Sequence, residues 1–226
     1  MGNVINHFEK IAPIYDSYKK KNRYYYRSLK NLIRKLIPPG KSVLEAGCGT
    51  GEMLAEARPS KGVGIDISPK MIEIARKKYP GKKLKFQTAD IGSFSIKKHF
   101  DYIVMVDVIE HLSDVDASLK SIAGLMDSGT VFINIMINPK WERIFLLAEK
   151  LGLKMPEGPH KRSSFAEIEA ILKREGLSVY EHGFTTLMPI YIPALTGLIN
   201  SYFEPIFRNY SCIEYFCARK NNRTVS

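Results

Sequence analysis

Three glycines at alternate positions, Gly47, Gly49 and Gly51, follow a short apolar run at 43–46 and precede Met53-Leu54-Ala55. A residue without Cβ accepts positive φ and lets a ligand lie against main chain. Glycines between a strand end and a helix start therefore mark a ligand-binding turn. A dinucleotide loop would carry its third glycine one position later, where this chain has Glu52. No diphosphate cradle results. Glu45, just ahead of the loop, suits a ligand carrying positive charge. Residues 62–66 read as a second strand ending in an acid, Asp66, and a carboxylate there accepts both hydroxyls of a ribose. Loop, acid and ribose together point to an adenosine-bearing ligand that lacks a diphosphate.

The elements that must hold these residues alternate. Strand 43–46 leads to a helix near 52–57, strand 62–66 to helix 69–79, and strand 84–88 to Ala89-Asp90. Ser68 is the predicted N-cap of the second helix, and Pro80-Gly81 its stop. Strand 101–106 is followed by helix 114–126, and strand 130–137 by a helix at 139–151. A loop at 153–162 leads to a capping box, Ser164 with Glu167, which opens helix 165–175; Gly176 closes it. Strands 177–184 and 210–218 form a final antiparallel pair. Such alternation predicts an α/β fold, a Rossmann-like, doubly wound, seven-stranded sheet, mostly parallel with its last strand antiparallel. Ligands in these sheets sit at the carboxyl ends of strands, where every residue named above falls.

Ahead of the sheet, residues 1–40 read as an N-terminal helical cap. Apolar residues at 4–18 keep a helical period that Pro13 breaks. Residues 19–35 read as one amphipathic helix with a basic outer face, ended by Pro38-Pro39-Gly40. Residues 41–226 form the main domain, with an apolar insertion at about 185–208.

The segment 43–54 resembles motif I of the class I S-adenosylmethionine-dependent methyltransferases, and 63–66 resembles their motif II. Residues 67–75, the strand at 100–104 and Val108-Ile109-Glu110-His111-Leu112 are similar to the small-molecule branch that includes ubiquinone-biosynthesis O-methyltransferases. Ile11-Ala12-Pro13-Ile14-Tyr15-Asp16 is similar to that branch's entry helix. The resemblance covers roughly 43–184 and implies S-adenosyl-L-methionine as cofactor and a methyl acceptor as substrate. It implies that Gly47, Cys48, Gly49 and Gly51 form the loop under the methionine portion, with Glu45 orienting that loop or holding the ammonium. Asp66 would bind ribose, Ile67 and Met71 the adenine, and Asp90 with Ile91 the adenine amino group. Val106 would lie beside the sulfonium and Tyr15 would reach over the cofactor. His111 is the candidate general base, since imidazole titrates near neutral pH; Asp107 and Glu110 are the alternatives.

Composition narrows the partners. The chain of 226 residues carries 34 Lys and Arg against 23 Asp and Glu, net +11. That balance admits an anionic partner or a lysine-rich solvated surface. An Asp/Asn-Pro-Pro-aromatic run, which base-amino methylases place after the fourth strand, is absent at 107–110, so nucleic acid is not the expected substrate. RNA or protein methylation, and a non-catalytic cofactor-binding subunit, are the rival readings. Cys48, Cys212 and Cys217 form no metal-ligand spacing, so no metal is expected. Met1-Gly2-Asn3-Val4 lacks a secretion-signal core, which predicts a cytoplasmic protein. Residues 183–203 include no charged residue. They read as a lid, a core helix or a peripheral membrane contact through 185–204, and tilt the expected acceptor towards a small or lipid-like molecule, methylated at oxygen.

Overall fold

The computed structural model describes residues 2–152, 156 and 158–221; residues 153–155 and 157 of the predicted loop, and 222–226, lie outside the described residues. Seven strands form one sheet in the order β3-β2-β1-β4-β5-β7-β6. They are β1 (Ser42–Ala46), β2 (Lys61–Asp66), β3 (Leu84–Thr88), β4 (Tyr102–Val106), β5 (Val131–Ile137), β6 (Leu177–Thr185) and β7 (Ile213–Lys220). β1 to β5 pair in parallel, while β7 runs antiparallel between β5 and β6. The helices are α1 (Gly2–Lys21), α2 (Arg23–Leu36), α3 (Glu52–Glu56), α4 (Pro69–Lys78), α5 (Val115–Leu125), α6 (Glu142–Lys150), α7 (Phe165–Arg174) and α8 (Leu195–Leu198).

The central strands are buried on both faces, which is why β5 reads as an unbroken apolar run with only Asn134 inside it. One core layer packs Leu44, Phe132, Phe216 and Ile103 beneath α5 and α7; the other packs Val43 and Ile133 against Leu29 and Ile33 of α2 and Leu54 of α3. The order of strands reverses between β1 and β4, opening a crevice above their carboxyl ends. Local signals set the helix starts. Ser68 accepts the Met71 N–H at 3.2 Å with Pro69 as the first helical residue, and Asp114 accepts the Ala117 N–H at 2.9 Å. The Ser164–Glu167 capping box is formed, and Gly176 has φ +74°.

Three expectations need correction. Pro13 does not break the first helix, which runs on to Lys21. A proline removes an N–H and frees the carbonyl four residues back. Here that carbonyl, on Glu9, accepts from Lys70 Nζ at 3.4 Å, so the lost bond is replaced from α4. Second, 19–35 is not one helix: the chain turns at Asn22 (φ −96°, ψ 33°), and Lys19 points inward rather than to an outer face. Third, the last strand begins at Ile213, because the preceding carbonyls are taken by side chains. Asn138 Nδ2 donates to the carbonyls of Asn209 and Ser211, and Trp141 Nε1 to that of Tyr210.

The segment between β6 and β7 is braced by its own polar side chains. Glu204 accepts the N–H groups of Thr186 and Leu187, Asn200 bonds both backbone groups of Met188, and Thr196 links Ile190 and Ile192. Asn200 also donates to the Tyr24 hydroxyl on α2 at 2.9 Å. Most of its apolar side chains remain exposed, so it is not a helix sunk in the core.

Candidate active site

The crevice holds a cavity whose lining includes Tyr15, Gly47, Gly49, Asp66, Ile67, Met71, Asp90, Ile91, Val106 and His111. Ten of the predicted site residues thus come together from five separate stretches of chain. Gly47, Gly49 and Gly51 all have positive φ, at +74°, +50° and +80°. The turn is also tight: a Cβ at Gly47 would fall 2.3 Å from Val108 Cγ2. Asp66 organises the rim. It accepts the Gly49 N–H at 2.8 Å and the Ser68 N–H at 2.9 Å, which ties the glycine loop to the turn after β2. Burial pushes its carboxyl up, partly offset by those two bonds.

Three predicted residues lie elsewhere. Glu45 is buried and accepts the Leu54 N–H at 2.8 Å, so it braces α3 from below. Burial pushes its carboxyl up to about 8, against the opposing charge of Lys19 and the Leu54 bond. Cys48 packs into the core beside Gly64, and Gly51 ends the turn against Phe86. Each supports the loop from behind: Glu45 through the α3 backbone, Cys48 through the core and Gly51 by close approach to Phe86.

A second cavity of about 350 Å³ shares Phe8, Tyr15, Asp107 and His111 with the first. Its other walls are mostly aromatic or apolar, with Tyr25 and Tyr26 from α2, Phe145 and Ala148 from α6, and Pro189 and Ile190 from the insertion; Lys21, Asn22 and Glu110 are the polar exceptions. Asp107 stands in the partition with φ +53°, and the Tyr25 hydroxyl lies 2.9 Å from each of its carboxylate oxygens. Burial and that carboxylate push the Tyr25 phenol up, so it stays a donor. His111 Nδ1 lies 3.2 Å from the Pro159 carbonyl, and its ring meets Phe8 edge-on at 5.2 Å. A carbonyl accepts only from a protonated ring nitrogen, so neutral His111 presents Nε2 as an acceptor. Its neighbour Glu110 is buried, with Arg162 3.5 Å away, and its carbonyl takes the Lys161 N–H. The Glu-His pair thus fastens the loop at 158–162 beside the partition.

Sequence reading missed Lys19. Its ammonium is buried 3.3 Å from Glu52 and 3.5 Å from Thr50 Oγ1, over the Tyr15 ring at 4.6 Å. Burial lowers its pKa, opposed chiefly by Glu52. The signal was present: Ile11, Ala12, Tyr15 and Lys19 share one helical face.

The lining of the first cavity carries Asp66, Asp90 and Asp107 and neither lysine nor arginine. A diphosphate would meet only like charge there, whereas a nucleoside bearing an ammonium and a sulfonium meets complementary charge. Ile67, Met71 and Ile91 supply apolar walls for a base. Fold and site together define a Rossmann-like domain that takes a cationic nucleoside. A family model described as methyltransferase domain matches residues 18–182. The chain belongs to that family, among the class I S-adenosylmethionine-dependent methyltransferases, and S-adenosylmethionine is the cofactor the lining fits. It is 32% identical over 160 residues to a ubiquinone biosynthesis O-methyltransferase of Pelagibacter ubique, covering 65% of this chain and 66% of that relative, just under two thirds of its length. Its fold is similar to a methyltransferase of Thermotoga maritima described as a possible histamine N-methyltransferase, with TM-score 0.76 and 18% identity over 96% of this chain and all of that one. It is also similar to a Haloferax volcanii structure of the Trm112 methyltransferase activator with a putative methyltransferase, with TM-score 0.72 and 18% identity over 94% and 97% of the chains.

Proposed function

We propose that the chain transfers a methyl group from S-adenosylmethionine to an oxygen of a small or lipid-like acceptor held in the second cavity. The observation that carries this is the shared wall: Tyr15, Asp107 and His111 face both the acidic, glycine-floored cavity and the aromatic one. In-line transfer needs donor and acceptor on opposite sides of one short gap, with water kept out. The similarity to a ubiquinone biosynthesis O-methyltransferase favours oxygen as the acceptor atom.

When bound, the cofactor supplies an activated methyl group on a sulfonium. Asp66 takes the ribose hydroxyls, Asp90 the adenine amino group, and Ile67, Met71 and Ile91 the faces of the base. Main chain at Gly47 and Gly49 passes under the methionine portion, with Val106 beside the sulfur. Asp107, held by the Tyr25 hydroxyl, turns negative charge towards the reacting region. His111 removes the acceptor's proton at Nε2, the nitrogen left free to accept by the bond at Nδ1.

A screen of fractionated cell extracts for transfer of a labelled methyl group tests the activity; lipid fractions are the expected source. Label entering only RNA or protein would replace the acceptor class, and no transfer alongside tight cofactor binding would leave a non-catalytic subunit. With an acceptor in hand, His111→Ala should lower kcat on the order of 100-fold, the usual scale for a general base. Cofactor affinity should hold. An unchanged kcat would remove His111 from the chemistry.

A further inference from the structure

The exposed surface around the mouth of the second cavity is built the wrong way round for water. α6 has no buried residue. One stripe of it, at spacings of three and four, presents Ile144 at 53% exposure, Leu147 at 58% and, just past its end, Leu151 at 64%. Arg143 and Lys150 lie on the same stripe and are exposed. Phe145 and Ala148 of the same helix line the cavity wall. From the insertion, Ile190 lines the same cavity and is 64% exposed, and further along the insertion Tyr202 and Ile206 are exposed at 69% and 73%. Scattered apolar residues on a surface need no explanation, but an exposed aliphatic stripe on a helix that walls a cavity, with further exposed apolar residues on the segment that completes that wall, does.

Basic residues border this set. Arg23 lies over the Tyr191 ring at 5.9 Å, Arg27 over Tyr24 at 4.9 Å, and Lys140 over Tyr210 at 4.6 Å. Two of the three acids on these elements are engaged within the fold. Glu142 pairs with His160 and Arg162, and Glu204 caps the start of the insertion. Protruding aliphatic side chains, tyrosines beside them and a basic margin match the successive layers of a lipid surface: acyl chains, interface and anionic headgroups. Among the described residues no helix is long and apolar enough to cross a membrane, so the match is to lying on a bilayer rather than spanning it.

We infer that the face formed by α6 and the insertion docks on an anionic lipid bilayer, and that the mouth between Ala148 and Ile190 opens towards that bilayer. The second half rests on the proposed methyl transfer, for it makes the acceptor a bilayer-dissolved lipid; the docking does not. A lipid acceptor would then reach the partition without crossing water, with its long apolar part left in the membrane.

The chain's one tryptophan, Trp141, opens α6 and reports on docking directly. The test adds vesicles of phosphatidylcholine alone, or mixed with phosphatidylglycerol, to the full chain with no cofactor or acceptor present. Emission from Trp141, quenching by brominated acyl chains and co-sedimentation are read together. Docking predicts a blue shift and quenching on mixed vesicles, with binding on the order of tenfold weaker on neutral ones and weakened again by salt. The double variant Leu147→Ser with Ile206→Ser should lose binding on the order of tenfold while keeping its thermal unfolding and its stabilisation by S-adenosylhomocysteine. Absence of binding to both vesicle types, or equal binding by the variant, overturns the inference. So does a concentration-dependent dimer, or a stable complex with an activator-type protein, that the same double variant abolishes, since the face would then belong to a protein partner. Because the vesicle readouts need no turnover, failure of docking and failure of the methyltransferase reading give different results.

Discussion

Asp66 is the residue on which the cavity depends most. Its carboxylate joins the glycine loop to the turn after β2 and lines the first cavity, where the proposed function seats a ribose. Hydrogen bonds to a charged partner are worth about 1.5–3 kcal/mol each, so Asp66→Asn should weaken S-adenosylhomocysteine binding on the order of 10- to 100-fold by calorimetry. Unchanged affinity would place the sugar elsewhere. Glu45 makes the opposite case, an acid that serves the fold. Its folded pKa is raised from the ordinary 4.5 to about 8. Above the lower value an unfolded chain gives up this proton while the folded one keeps it. Stability from this group is therefore whole below about pH 4.5 and is lost as pH rises through 8. Glu45→Gln keeps an oxygen for the Leu54 N–H and should flatten that loss. Thermal unfolding of the variant should gain on the parent steadily across this interval, and parallel curves would refute the assignment. Both acids were legible as types, but only neighbours separate their roles. One carboxylate sits on a rim and the other beneath it, a distinction carried by burial rather than by spacing.

At the scale of elements, strand and helix order followed from alternation and caps, because apolar runs and N-cap side chains act within a few residues. What escaped was set by contacts between distant segments. Lys70 replaces the hydrogen bond that Pro13 removes, and Asn138 takes the carbonyls that would have lengthened β7. The split at Asn22 similarly answers to two docking surfaces, α4 for the first helix and the sheet for the second. β5 carries a residue its own pattern would not choose. Asn134 is fully buried, paired with Phe216 on β7 and Met105 on β4, and neither its Oδ1 nor its Nδ2 has a hydrogen-bond partner. An unsatisfied buried amide costs about 1–3 kcal/mol, and leucine has nearly the same shape. Asn134→Leu should raise the urea midpoint with an unchanged m-value, by about 1 kcal/mol or more in stability. A lowered midpoint would mean that the amide is satisfied in solution.

The whole molecule divides into a sheet that fixes the floor of the site and a helix that closes it. α1 contributes Phe8 and Tyr15 to both cavities. Its polar ties reach α4, where Lys78 pairs with Asp16 at 2.7 Å, and two loops. Asp16 and Lys19 hold Thr50 and Glu52 on the glycine loop, while Glu9 holds Ser68 and the Lys70 N–H after β2. Those are the two loops that Asp66 joins. α1 buries little of its own apolar surface, chiefly Ile11 and Ala12 against Met71, and meets α2 through the single non-helical residue Asn22. α2, by contrast, sinks Leu29, Leu32 and Ile33 into the core. Segments with few buried contacts open at lower free energy than those anchored in a core. A ligand that fixes both loops must therefore raise the opening free energy of α1 and leave that of α2 nearly unchanged. Hydrogen exchange followed by mass spectrometry should show amides in 2–21 slowed by S-adenosylhomocysteine at saturating concentration, with those in 29–36 unaffected. Equal slowing of both helices would make the cap one rigid body. No slowing in 2–21 would show that the cofactor enters and leaves without α1 moving.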